Sequence, residues 1–276
     1  MRRALFRRTF LCAALLAFAP ARADEITETL NTVWEVFWQQ QGYLQSVSKW
    51  GEPIRVGVSG AGYQRHRAFV LAQLGRVARG AGLELAEAQP DGPPANFEVE
   101  IVADDLTRVG FYFACRTLRT PRAGAIQRVK ITAEERALQR CMLHEAMHAL
   151  GMPGHPRGGS ILSYYRNSDE LTATDELLLK LWYSDEVKPG MYALPALAVF
   201  ARALVQSVPE GEARREAERT AAQFQRSARA QLESIAAGKG EPPRILFQSS
   251  TLTPAGLARG RIQAQLELDH ATQADR

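Results

Sequence analysis

Apolar residues that recur at steps of three and four positions predict a series of amphipathic helices along the chain. In the first of these, Ile26, Leu30, Val33 and Trp34 repeat at helical spacing. The pattern predicts helices over residues 24–50, 63–79, 173–183, 194–205 and 210–237. Thr172 and Asp175 provide the N-terminal capping signal of the third.

Short runs rich in β-branched and aromatic residues predict strands between the first helices. These runs are residues 53–59, 96–102, 111–115 and 125–132. Proline- and glycine-rich turns separate them at residues 90–94 and 121–124. Strands and helices in this order predict an α+β fold with a mixed sheet.

One more helix is predicted to follow the last strand. Thr132 and Glu135 match a capping box at its beginning, and Gly151 matches the position just after its end. Apolar residues occur on two sides of it, which predicts that the helix is buried at the centre of the domain. They are Leu138, Met142, Leu143, Met147 and Leu150.

The chain is long enough for one large domain or for one domain with an appendage. We expect the principal domain over residues 24–192 and a helical extension over residues 193–276, because 188–190 reads Lys-Pro-Gly. The thin apolar stripe of the helix at 210–237 fits a solvated helix packed on the domain, or one that binds a protein partner. From Gly238 on the chain contains proline and glycine breaks, and its polar last stretch is predicted to be disordered.

The first 23 residues have the composition of a secretory signal peptide. A basic region precedes a short apolar run, and Ala21-Arg22-Ala23 matches a cleavage site. Arg7-Arg8-Thr9-Phe10-Leu11 resembles the twin-arginine export signal. An ordinary secretory signal with extra arginines is the alternative. Either signal predicts a periplasmic or secreted bacterial protein.

Removal of this segment changes the electrostatic interpretation of the chain. The full sequence has a net charge of +4, but the signal contains five arginines and no acid, which leaves 29 basic against 30 acidic residues. No global basicity therefore indicates binding to nucleic acid or to an anionic membrane. The mature chain has no second apolar stretch long enough for a membrane span.

Residues 144–155 contain three of the five histidines and have the spacing of a zinc site. His144 and His148 lie one turn apart on a helix, so two imidazoles can bind one Zn²⁺ ion. Glu145 between them can serve as general base toward a water molecule. Gly151 allows the backbone to turn, and His155 is the predicted third ligand.

Other interpretations of this segment stay open. A carboxylate from Asp169, Glu170 or Asp175 can supply the third ligand instead of His155. The two helical histidines can also arise by chance on a buried helix and bond only to core carbonyls.

The cysteines of the mature chain are Cys115 and Cys141. In an oxidising periplasm they can form a disulfide, and they can equally be two buried free thiols. Cys141 also lies three residues before His144 and shares its helix face, so it is a third candidate as a metal ligand.

Residues 144–183 resemble the metzincin branch of zinc peptidases, which includes the astacins and matrixins. His144, Glu145, His148 and Gly151 match the family pattern in place, whereas the third histidine falls one residue later, at His155. The segment 160–164, Ser-Ile-Leu-Ser-Tyr, looks like the astacin turn Ser-Ile-Met-His-Tyr, with leucine where the methionine stands. The resemblance implies that Tyr164 binds zinc or stabilises the oxyanion.

A second resemblance is to an uncharacterised family of bacterial secreted proteins, catalogued as a domain of unknown function. The shared residues are Cys141, Glu145, 149–151, 171–175 and 188–191. Many members have other residues at the positions of His144 and His148, so membership alone does not imply zinc. Zinc is implied instead by the presence of His144 and His148 in this chain.

The sequence therefore predicts an exported zinc metallopeptidase of metzincin-like fold that acts on peptides or proteins. The alternative is a non-catalytic module that keeps a structural or vestigial metal and binds a partner in the cell envelope.

Overall fold

The computed structural model describes residues 23–39, 42–103, 114–164, 170–243 and 253–274. The predicted signal peptide lies outside these residues except for Ala23, where the first helix begins. The described elements are α1 (Ala23–Val36), β1 (Lys49–Trp50), β2 (Ile54–Gly60), α2 (Tyr63–Gly80), β3 (Leu85–Glu87), β4 (Phe97–Val102), β5 (Cys115–Arg122), β6 (Ala125–Glu134), α3 (Leu138–Ala149), α4 (Ala173–Trp182), α5 (Ala193–Ser207), α6 (Glu212–Ala236) and α7 (Pro254–Ala274).

The described strands form one six-stranded sheet at the centre of the fold. Five strands run parallel in the order β1-β6-β4-β2-β3, and β5 pairs antiparallel with β6. Alternation determines the faces: Phe97, Val99 and Ile101 of β4 are buried, as the period of two requires. The α+β class and the mixed sheet are confirmed.

The helix α3 is buried on both sides, as predicted, but it begins later than the sequence indicated. Thr132 is not a helix cap, because it pairs within the sheet with Glu100 of β4 and with Arg116 of β5. The chain leaves the sheet after Glu134, and one 3-10 turn precedes α3. At the other end Gly151 follows the helix with a φ of 110°, a conformation that favours glycine.

The first helix is shorter than predicted. It ends at Val36, and Trp38 then forms an isolated antiparallel bridge with Leu44. The residues at 49–50, which we expected to be helical, pair instead with Ala125 and Ile126 of β6. Helical spacing of apolar residues thus persisted beyond the helix, because the following segment also buries its side chains.

The predicted strand over residues 111–115 lies mostly outside the described residues. The strand that is observed, β5, begins at Cys115 and continues to Arg122. This strand lies beside α3, the helix that carries His144 and His148. The sequence prediction therefore omitted most of a strand that lies next to these histidines.

The C-terminal helices complete the hydrophobic core. α6 packs against α1, α5 and α7, and the chain itself therefore covers its apolar stripe. The buried residues of this stripe are Ala217, Ala221, Ala228, Leu232 and Ile235. A protein partner for α6 stays a prediction.

The expected disorder of the tail is wrong for residues 254–274, which form α7. The reason is a contact that the sequence does not reveal. Glu267 is fully buried, and its carboxylate accepts hydrogen bonds from the backbone N–H groups of Ala193 and Leu194 at the start of α5. His270 also stacks on Tyr192.

No helix in the described parts of the chain has both the length and the apolar character of a membrane span. This agrees with the expectation for the mature chain.

Candidate metal centre

Backbone carbonyls fix the orientation of both histidines on α3. His144 Nδ1 lies 3.0 Å from the carbonyl oxygen of Ile161, and His148 Nδ1 lies 2.7 Å from that of Met152. A carbonyl can only accept, so each Nδ1 donates its proton, and in the neutral ring Nε2 is left with a lone pair. Such backbone contacts also orient the histidine ligands of metal sites.

The Nε2 atoms of three histidines converge on one point. His148 Nε2 lies 3.1 Å from His144 Nε2 and 2.9 Å from His155 Nε2. Two nitrogens bound tetrahedrally to one zinc ion lie roughly 3.3 Å apart. Among the described residues these three histidines alone form a cluster that could hold a metal ion, with ligand atoms within 4.8 Å of one another.

The electrostatics of the cluster favour the uncharged form of His148 and of His155. The pKa of His148 is well below its usual value, chiefly because the ring is buried and also because His155 and His144 lie close. Burial and His144 likewise hold the pKa of His155 well below its ordinary value. Neutral imidazole is the form that binds metal, and the lone pairs on Nε2 of His144 and His148 face the point where the three rings meet, so a cation can bind there.

Two contacts with α1 hold the loop that presents His155. Gly154 packs against the last turn of the helix so closely that a Cβ at this position would lie 2.5 Å from the carbonyl oxygen of Glu35. The carboxylate of Glu35 accepts from the backbone N–H and Nε of Arg157, at 2.7 and 2.6 Å. The N-terminal helix therefore positions the third histidine.

Among the described residues, the carboxylates considered as third ligands do not join the cluster. Asp175 is fully buried and accepts from the Ser160 hydroxyl, from the Ile161 N–H at 3.0 Å and from the Thr172 N–H at 2.9 Å. It serves the capping box of α4, as its position in the sequence predicted. Glu170 is exposed, and Asp169 lies outside the described residues.

Glu145 is buried next to the cluster, and the edge strand β5 holds it. The hydroxyl of Thr117 donates to Glu145 Oε2 at 2.6 Å and also lies 3.1 Å from the Glu145 carbonyl. Burial raises the pKa of Glu145, while His144 and the Thr117 hydrogen bond oppose this rise. No described residue donates a hydrogen bond to Oε1. Nothing in the sequence pointed to Thr117, because its contact joins elements 28 residues apart.

Tyr164 lies at the cluster as well. Its ring stacks on His155, with centroids 4.0 Å apart and planes at 13°. The same turn provides the Ile161 carbonyl that orients His144, and Leu162 is fully buried. The segment that resembled the astacin turn therefore contacts two of the three histidines.

Cys115 and Cys141 form a disulfide. The bond connects the beginning of β5 to the first turns of α3, the two elements that contribute Thr117 and Glu145. It excludes the free-thiol alternative and the proposal that Cys141 is a metal ligand.

The donor set fits zinc. Three neutral imidazole nitrogens suit a borderline-soft divalent ion, and three protein ligands are the usual number in catalytic zinc sites, where a further position binds water or substrate.

The fold and the site define an α+β protein with a three-histidine cluster beside a buried glutamate. Residues 30–202 match the family described as "Protein of unknown function (DUF2927)". This is well over half of the chain, which belongs to that family, and the match includes the whole cluster. No curated protein and no solved structure matches the chain.

Proposed function

We propose that the protein is an exported zinc peptidase whose catalytic domain is metzincin-like. The observation that supports this most directly is the convergence of three Nε2 atoms beside Glu145. The chance interpretation explains only the Nδ1 contacts with core carbonyls. It does not explain why the ring of His155, from outside the helix, brings its Nε2 to 2.9 Å from that of His148.

His144, His148 and His155 would hold the zinc ion. When bound, zinc supplies Lewis acidity toward a scissile carbonyl and lowers the pKa of water. Two carbonyls and the ring of Tyr164 hold the histidine rings, so the site needs little rearrangement to bind the ion.

Glu145 would act as the general base. Thr117 holds its Oε2, so Oε1 receives the proton of the attacking water and later gives it to the leaving amine. The raised pKa of the Glu145 carboxyl suits an acid that must donate this proton at neutral pH. Tyr164 is proposed to donate its hydroxyl proton in a hydrogen bond to the carbonyl oxygen as negative charge develops there.

Metal analysis combined with peptide cleavage tests the proposal. The mature protein, residues 24–276, is expected to bind one zinc per chain and to cleave members of a mixed peptide library until a chelator is added. Glu145→Gln should retain zinc and lose activity by about 10²- to 10⁴-fold. Glu84→Gln, at an exposed position, is the matched control.

The same experiment separates the alternatives. Zinc without any cleavage would favour a non-catalytic module that binds an envelope partner. A protein that binds no zinc would contradict both metal-containing forms, and a Glu145→Gln variant with wild-type turnover would refute the mechanism.

We further propose that a twin-arginine signal directs export. Replacement of Arg7 and Arg8 together by lysine should retain the precursor in the cytoplasm. An ordinary secretory signal tolerates this change, so unchanged export would identify that route instead.

A further inference from the structure

Arg119 lies on β5 two residues beyond Thr117, on the strand face toward α3. Side chains alternate along the strand: Thr117 and Arg119 are partly buried, while Leu118 and Thr120 are exposed. Residues two apart in a strand are separated by about 7 Å. Because Thr117 contacts Glu145, Arg119 lies one step along the strand from the proposed general base.

The guanidinium of Arg119 is buried, and no carboxylate of the described residues pairs with it. Its Nη1 is shielded from solvent and has no hydrogen-bond partner in the described parts of the chain. Its Nη2 donates to the side-chain oxygen of Gln45, at 3.4 Å. The titratable neighbour that affects its pKa is the Tyr183 hydroxyl, and no carboxylate among the described residues does so.

Arg119 nevertheless stays charged at neutral pH. Burial lowers its pKa to about 10, which still leaves it cationic. Tyr183 cannot neutralise it, because burial raises the pKa of that hydroxyl, which donates to the Leu150 carbonyl and accepts from Trp50 N–H. The guanidinium also lies near enough to His148 to lower the pKa of that imidazole.

A buried cation with an unused N–H group is costly in a folded protein unless an anion arrives. Guanidinium binds carboxylates in a two-pronged geometry, which combines strength with directionality. A peptide bound at the histidine cluster would bring its own groups past β5, and a carboxylate on that peptide would satisfy Arg119.

We propose that Arg119 binds a carboxylate of the substrate and makes the peptidase selective for peptides with this group close to the scissile bond. The inference rests on the proposed function. The carboxylate comes either from the C-terminus of the peptide or from an aspartate or glutamate side chain.

Matched peptides distinguish the two sources. The first pair has one sequence and ends in a free carboxylate or in an amide. The second pair is amidated and contains glutamate or glutamine at each position in turn. Wild-type protein should cleave the carboxylate member of one pair about 10- to 100-fold faster, as kcat/KM. Equal rates within both pairs, with cleavage observed, would overturn the inference and leave the peptidase proposal intact.

Variants connect the selectivity to the residue. Arg119→Gln should remove the preference between the members of each pair, because the carboxylate loses its cationic partner, while Arg119→Lys should recover part of it. Arg122→Gln, an exposed position on the same strand, is the control. An equal loss of activity by Arg119→Gln on both members of a pair would show that Arg119 is only structural.

A binding measurement is independent of turnover. Calorimetry of the same peptides with zinc-loaded Glu145→Gln protein should show about tenfold tighter binding of the carboxylate member. In a double variant that combines Glu145→Gln with Arg119→Gln, this difference in affinity should disappear. If wild-type protein cleaves nothing, the peptidase proposal fails, and this binding difference still decides the role of Arg119. Equal affinities would contradict the inference.

Discussion

Glu35, in the last turn of α1, holds Arg157 two residues after His155 through both a backbone and a side-chain hydrogen bond. The Glu35 side chain is 9% exposed, whereas that of Arg157 is 68% exposed. The buried carboxylate therefore anchors the loop by its backbone as well as by charge. This contact spans 122 residues and connects the first described helix to the third proposed ligand.

Replacement of Glu35 by glutamine should weaken zinc binding. The neutral amide loses the charged pairing with Arg157, so the loop that presents His155 becomes less restrained. We expect about a 10-fold lower zinc affinity, measured by competition with a chelator. Glu28→Gln, at an exposed position on α1, should bind zinc as the wild type does. Equal affinity of both variants would show that α1 does not position the site.

Gly154→Ala tests the close approach of the same loop to α1. The added Cβ would lie 2.5 Å from three carbonyl oxygens at the end of the helix, so helix or loop must move. Unfolding in urea should reveal a loss of about 1–3 kcal/mol, with weaker zinc binding. Gly158→Ala is the control, because a Cβ there meets nothing within 4 Å. A stable Gly154→Ala protein with intact zinc affinity would be inconsistent with this packing.

Thr117→Val removes the hydroxyl that holds Glu145 but keeps a branched side chain of similar size. Hydrogen bonds to charged groups contribute about 1.5–3 kcal/mol, so kcat should fall roughly tenfold or more. KM and zinc content should stay near the wild-type values, because neither the ligands nor the backbone of β5 changes. Thr120→Val, exposed on the same strand, should have full activity. A change in KM alone would assign Thr117 to substrate binding instead.

The stability of the C-terminal helix should depend on pH through Glu267. Burial raises its pKa to about 7 from a usual value of 4.5. The folded state holds the proton of Glu267 more tightly than the unfolded state does, so the protonated carboxyl adds to the free energy of unfolding. This addition is fully present below about pH 4.5 and is lost as the pH rises through about 7. The shift corresponds to about 3 kcal/mol as an order of magnitude.

Urea unfolding between pH 5 and pH 8 measures this effect. The wild type should lose stability across the interval relative to Glu267→Gln, which stays neutral and can still accept from the start of α5. Asp269→Asn, at an exposed position on α7, should follow the wild type. Identical slopes for the wild type and Glu267→Gln would exclude Glu267 as the source.

The structure also shows where the sequence patterns gave wrong predictions of secondary structure. Apolar spacing continued past Val36, and a capping pattern at Thr132 was overridden by pairing within the sheet. In both places long-range contacts outweighed the local preference of the sequence for a helix or a helix cap. The tail was predicted to be disordered from its composition alone. It is ordered because the buried Glu267 contacts the start of α5.

By itself the sequence determined the α+β class, the buried helix with His144, Glu145 and His148, and the cap of α4 at Thr172. These features depend on spacing along one element, because residues three or four apart on a helix share a face. Only the tertiary structure decided that His155 joins the pair, that Cys115 bonds to Cys141 and that Thr117 and Arg119 lie beside the site. Such contacts join segments far apart in the chain, and no local periodicity records them.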